Sequence, residues 1–282
     1  MPTCDMLRVS ALFLHPVKSL RAIPVEEVTL DDLGFAGDRR FLVVDEAGTF
    51  LTQRTLPAMA RIATQLSEDS LVLSAEDGSS LTVSRSPDPT APVRKVRVWN
   101  HEGLSANDCG ETAAEWLGGL LGCRCRLVRI GDTFRREVTK AAARPGDLVS
   151  FADAAPVLVT GEASLAELNR RIVASGGGSV AMDRFRPNLV ISGGEPFSED
   201  GWRWIRIGPV VLRSAGKSDR CVITTTDQQT GQRGREPLRT LATFRQEPGQ
   251  TGAVYFGVNF IQETKSGTIR IGNQVEVLSE EP

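Results

Sequence analysis

Histidine and tyrosine are scarce: the 282 residues hold two histidines, His15 and His101, and one tyrosine. There is no His-x-x-x-His or Cys-x-x-Cys spacing, so neither a zinc hydrolase nor an iron–sulfur centre has a ready ligand set. Gly-x-Ser-x-Gly is missing too, which removes the nucleophile elbow of the serine hydrolases. The run Gly176-Gly-Gly178 has no lysine after it and opens no helical pattern, so it reads as a flexible loop and not as a phosphate loop. Nowhere do about 18 apolar residues occur together, and Met1 to Leu14 carries no basic stretch ahead of a long apolar run. The chain is therefore expected to be soluble, unexported and cytoplasmic. An excess of either charge is also lacking, with 33 basic and 35 acidic residues and a net charge of -2. No overall field favours nucleic acid or an anionic membrane, so neither is expected as a partner and any charge recognition must be local. Five cysteines, Cys4, Cys109, Cys123, Cys125 and Cys221, are an odd number in a chain large enough to bury its own core. They read as free thiols in a reducing compartment.

What the sequence does contain is mostly strand. Short alternating segments are separated by Gly, Asp, Asn and Pro turns. Phe41 to Asp45 and Thr49 to Arg54 flank Glu46-Ala-Gly48 as one hairpin, and Leu71, Leu73, Leu81 and Val83 frame Glu76-Asp77-Gly78 as another. Further strands are expected at Val93 to Trp99, Pro187 to Ser192, Trp202 to Arg213 and Thr268 to Leu278, the last broken at Gly272-Asn273. Helices are few. Ala113, Trp116, Leu117, Leu120 and Leu121 recur at three and four between Glu111 and Leu121, with Gly122 as C-terminal cap. Ser164-Leu-Ala-Glu167 has the form of a capping box, followed by Leu168 and Ile172 on one face. A third helix is expected near Pro237, with Leu238, Leu241 and Phe244 inward. The arginine-rich run from Cys123 to Ala143 shows no clear periodicity, and the domain boundary is placed at its start, giving domains 5–122 and 123–282. The fold class is mostly β, of the α+β type.

Among candidate reactive residues, Cys123-Arg-Cys125 reads as plain strand. Cys221 differs in its surroundings: it sits in Lys217-Ser-Asp-Arg-Cys-Val-Ile-Thr-Thr-Thr-Asp227, close to Lys217 and Arg220. Neighbouring cations favour a thiolate, the form that acts as nucleophile or soft metal ligand. On these residues alone, a buried cysteine opening a strand is the plainer reading.

Seven short motifs change that balance. They are Leu14-His-Pro-Val-Lys-Ser19, Gly37-Asp-Arg39, Thr52-Gln-Arg54, Asp108-Cys-Gly-Glu111, Phe185-Arg-Pro-Asn188, Asp219-Arg-Cys-Val-Ile-Thr-Thr225 with Asp227, and Tyr255-Phe-Gly257. In this order, over nearly the whole chain, the set resembles proteins with a MOSC N-terminal β-barrel domain followed by a MOSC domain, of the amidoxime-reducing type. The resemblance implies an N-terminal β-rich domain, a C-terminal MOSC β-barrel with flanking helices, and a molybdenum-pterin cofactor between them. It also implies that Cys221 is the protein's sulfur ligand to the metal, and soft sulfur suits a redox metal. The motif positions Lys18, Ser19, Arg39, Arg186, Asn188 and Arg220 would hold the pterin phosphate, since a desolvated dianion needs cations and N–H donors. Asp153, Ala154 and Ala155 match a stretch where backbone N–H groups meet the pterin. Asp219 and Asn259 fall at cofactor positions but depart from the family's usual residues there. Arg54 is either a surface charge or a cofactor contact, and Asp227 either relays protons or closes a turn. The implied activity is reduction of a small N-hydroxylated compound: an amidoxime, a hydroxylamine or an N-hydroxylated base. No ferredoxin domain follows Cys221, so electrons are expected from a separate ferredoxin-, flavin- or haem-type donor protein. The rival readings are a carrier that holds sulfur or cofactor on Cys221, and a module that has lost its site.

Overall fold

The computed structural model describes residues 6–247 and 252–282. Cys4 and the first residue of the expected N-terminal domain lie outside them. An eight-stranded sheet dominates, in the order Val275–Leu278, Trp204–Ile207, Val210–Asp219, Tyr255–Gln262, Val157–Gly161, Leu189–Ser192, Arg8–Leu14, Ile23–Val25. All its pairings are antiparallel except Val157–Gly161 with Leu189–Ser192, which run parallel. Parallel neighbours need a crossover, and helix α2 (Glu162–Ala174) supplies it. A four-stranded antiparallel sheet follows the order Phe41–Asp45, Cys125–Ile130, His101–Asp108, Val93–Val98.

Local patterning explains much of this. The hairpin around Asp77-Gly78 pairs Leu71 with Val83 and Leu73 with Leu81, so one apolar face meets the core under helix α1 (Glu111–Leu121). Gly122 ends α1 in the left-handed region at φ 66, a conformation that glycine adopts at little cost.

Three expectations need correcting. The partner of Phe41–Asp45 is short: Phe50 bridges Val44 and the Leu51 N–H bonds Val43, after which the chain turns into the 3-10 helix Pro57–Arg61. Trp202 to Arg213 is not one strand but a hairpin broken at Gly208-Pro209. The capping box does not form. Helix α2 starts three residues earlier, at Glu162 with Gly161 as its N-cap, and the Ser164 hydroxyl instead donates to the buried Glu199 carboxylate at 2.7 Å. Glu167 pairs with Arg170 and Arg171. The Ser164 hydroxyl also accepts the Phe197 N–H at 2.8 Å, so both its donor and its acceptor capacity are used outside the helix.

The two large sheets exchange strands across positions 122 and 123. Strand Cys125–Ile130 pairs with Phe41–Asp45 and His101–Asp108, so the arginine-rich run opens with the central strand of the N-terminal sheet. Its arginines mask a strand buried on both faces, with Cys125 and Leu127 in one apolar cluster and Val128 in another. Conversely, Arg8–Leu14 belongs to the C-terminal sheet. The third helix, α3 (Leu238–Leu241), is a single turn with Leu241 buried. Among the described residues no helix is long and apolar enough to cross a membrane.

Candidate functional site

Residues at the ends of strands of both large sheets and on the segments joining them line a cavity of about 680 Å³. Thirteen of the fourteen residues expected at the site line it: Lys18, Ser19, Arg39, Arg54, Asp153, Ala154, Ala155, Arg186, Asn188, Asp219, Arg220, Cys221 and Asn259. Residues distant in sequence converge because Leu14 to Arg39 leads out of the eight-stranded sheet and into the four-stranded one. The Lys18 N–H donates to the Phe41 carbonyl at 3.0 Å, and the Arg39 N–H to that of His15 at 2.7 Å.

The charge here contrasts with the near-neutral chain. Lys18, Arg39, Arg54, Arg136, Lys140, Arg186 and Arg220 line the cavity against Asp153 and Asp219 alone. Burial pulls the Lys18 ammonium down to about 8, although Asp153, its ion-pair partner, pushes the other way. Burial and then the charge of Arg39 pull Arg186 down to about 9. Crowding by the protein would raise the Asp153 carboxyl, but Lys18 and Arg54 override it and hold it well below the usual carboxylate range. Cations held against their own solvation are stabilised by an anion placed among them.

Unused hydrogen-bonding capacity points the same way. The buried Nη1 of Arg54, Nη2 of Arg186, Nε of Arg220 and Nδ2 of Asn259 have no partner among the described residues. Buried polar atoms are rarely left so, and four donors around one cavity suit an acceptor-rich ligand. The other faces of these groups are fixed. Arg39 donates to Asn188 Oδ1 at 3.0 Å and to the Arg186 carbonyl at 3.2 Å, and Arg220 to the Phe185 carbonyl at 2.6 Å. Asn188 also takes the Leu158 N–H at 3.2 Å, so its amide is an anchor for Arg39 more than a free contact.

Backbone strain gathers at the same place. Five non-glycine residues among those described have φ between 50° and 68°: Ser19, Arg39, Trp99, Arg186 and Phe197. All except Phe197 line this cavity. Such conformations persist only where surroundings over-determine them, and they cluster at functional sites.

Cys221 is partly buried and faces the cavity just before the 3-10 helix Val222–Thr225. Among the described residues no three His, Cys, Asp or Glu side chains stand together as a metal cage. A metal at Cys221 must therefore take most of its donors from an organic carrier, and the free N–H groups around it suit the carrier's phosphate. The cavity thus offers one thiol and a set of free N–H donors that a phosphorylated carrier would fit.

Asp227 stands apart from this group. It does not line the cavity. Its Oδ1 takes the Gln229 and Thr230 N–H groups at 3.0 and 2.9 Å, and its Oδ2 pairs with Arg184 at 2.9 Å, so it closes a turn. Sequence reasoning missed Arg136, His101 and Trp99. Arg136 donates to the Ser150 and Ala152 carbonyls at 2.8 and 2.5 Å, clamping the segment that carries Asp153. Trp99 donates to Asp153 at 3.1 Å and lies 4.5 Å from the Arg54 guanidinium. Only the scarcity of histidine marked His101 in advance.

Residues 6–124 match the MOSC N-terminal beta barrel domain and residues 147–276 the MOSC domain. The Mitochondrial amidoxime-reducing component 1 of Mus musculus is 36% identical over 96% of this chain and 82% of its own length. The Homo sapiens protein of that name is 35% identical, with 96% and 83% covered. The Molybdenum cofactor sulfurase of Arabidopsis thaliana is 30% identical over 95% of this chain but only 35% of its own length. The chain belongs to the two-domain MOSC family that includes the mitochondrial amidoxime-reducing components.

Proposed function

We propose that this protein reduces small N-hydroxylated compounds, amidoximes, hydroxylamines or N-hydroxylated bases, using a molybdenum-pterin cofactor and electrons from a separate redox protein. The observation that carries the reading is Cys221 facing a cavity whose cations and unpartnered N–H groups await an anion. The names of the relatives support the reaction class. When bound, the cofactor supplies a two-electron store and an acceptor for the substrate oxygen.

The chain's own residues bind and orient. The Cys221 thiolate donates soft sulfur to the metal. Arg186, Arg220 and Lys18 take the pterin phosphate, with Arg39 held in place by Asn188. Trp99 and Arg54 stack at the Asp153 side, where a planar N-hydroxylated substrate finds a flat wall. His101, drawn below its ordinary pKa by burial and by the Arg136 charge, stays neutral near pH 7.

The test is molybdenum and pterin content together with benzamidoxime reduction by an artificial electron donor, in wild type and Cys221→Ser. The expected result is metal and turnover in wild type, and a folded serine variant without turnover. Unchanged ligation and turnover in Cys221→Ser would overturn the assignment. The match to a cofactor sulfurase favours a second reading, in which Cys221 carries sulfur or cofactor without turnover. Metal-free protein with a persulfide on Cys221 would select it.

A further inference from the structure

Alternation along strand Cys125–Ile130 puts Cys125, Leu127 and Arg129 on one face, and the first two pack with Leu117 of α1 in the N-terminal core. Arg129 thus occupies an inward position and is only 5% exposed. Burying a guanidinium there is costly unless something meets it. Its Nη1 donates to the Ser84 carbonyl at 2.8 Å, while its buried Nε has no partner among the described residues. The side chain lines a groove of about 630 Å³ that shares no residue with the cavity around Cys221.

Across this groove stands the N-terminus of α1, from Gly110 to Ala113. The helix is eleven residues long and receives no side-chain cap, so its first-turn N–H groups and the positive end of its dipole open onto the groove. The nearby acids are already met. Asp108 is held by Arg94, by Arg126 at 2.7 Å and by the Gly110 N–H at 2.7 Å. Glu111 pairs with Arg126 at 2.6 Å. Arg129 is left as the cation in want of an acceptor, its charge partly offset by Asp88 on the groove's wall. One charge, so offset, suits a monoanion better than a phosphate dianion, and the planar fork suits a carboxylate. Leu81, Val83 and Pro92 add an apolar wall.

We propose that this groove is a second binding site, taking a monocarboxylate with an apolar chain. The carboxylate sits between the Arg129 fork and the first-turn N–H groups of α1, and the chain lies against Leu81 and Val83. The probe is hexanoate, with neutral hexanamide as its isostere, added to the full chain while backbone amides are followed by NMR. Hexanoate is expected to shift Gly110 to Ala113 and Arg129 saturably, and hexanamide to leave them unmoved. Arg129→Met should weaken hexanoate about tenfold or more, and Arg129→Lys should recover part of the loss. The comparison of acid and amide in wild type decides even if Arg129→Met fails to fold. Equal responses to both compounds, shifts confined to Lys18, Arg186 and Cys221, or no saturable response would each overturn the site. None of these outcomes depends on metal or turnover, so they are separable from the reductase reading.

Discussion

The hairpin-and-helix unit at Ser70–Leu121 and the cavity around Cys221 obey opposite rules. In the first, apolar side chains alternate into a common core, and α1 ends on a glycine that suits its backbone. In the second, four non-glycine residues take left-handed backbone, and buried donors lack partners. Local preference and tertiary demand agree where the chain only has to fold, and they conflict where it has to hold something. Mutations should divide accordingly: changes in the first region cost stability, whereas changes in the second cost binding and return stability.

Leu117→Ala is the strongest way to press on this division. Leu117 is fully buried beneath α1, and its truncation should cost about 2–5 kcal/mol, measured by denaturant unfolding. Affinity for a phosphorylated pterin should stay unchanged when checked under folding conditions. Arg186→Met should act the other way. Removing a cation whose charge is already disfavoured should raise the thermal midpoint of the ligand-free protein, yet weaken phosphopterin binding by about 1.5–3 kcal/mol in calorimetry. A variant that lost both stability and affinity would break the contrast.

A titration sharpens it further. Lys18 is protonated below about 8 in the folded chain against an ordinary 10.5. Anion binding should therefore be fullest below pH 8 and decline several-fold as pH rises towards about 9, an effect that Lys18→Met abolishes. Over the same range the unfolded chain binds this proton more readily than the native one. The contribution of Lys18 to ligand-free stability therefore rises with pH between its two pKa values. The smallest expected effect is Gly122→Ala, roughly 1 kcal/mol lost from α1 because alanine resists φ 66, with ligand affinity untouched.

How much was legible in the sequence follows the same line. The limits of α1 and the Leu71–Val83 hairpin could be read because period and turn residues are local signals. Cys221 and its cations could be read because their motifs keep neighbours together. Arg136 and Trp99 could not, since they reach the cavity through strand pairing and a hairpin tip. Nor could the fate of Ser164, whose hydroxyl is claimed by Glu199 from 35 positions away. Strand Cys125–Ile130 was hidden for a related reason: its Arg126 answers Asp108 and Glu111, so a charge-rich segment is interior sheet.

Strand Arg8–Leu14 lies beside Leu189–Ser192, with Arg8 opposite Ser192. During synthesis this early strand meets only Ile23–Val25, a bare two-stranded ribbon, until well over half the polypeptide has emerged. The N-terminal half on the ribosome is therefore a waiting partner and not a finished unit. Separately expressed halves should aggregate alone and recover order only when mixed, with the seam running through Arg8–Leu14.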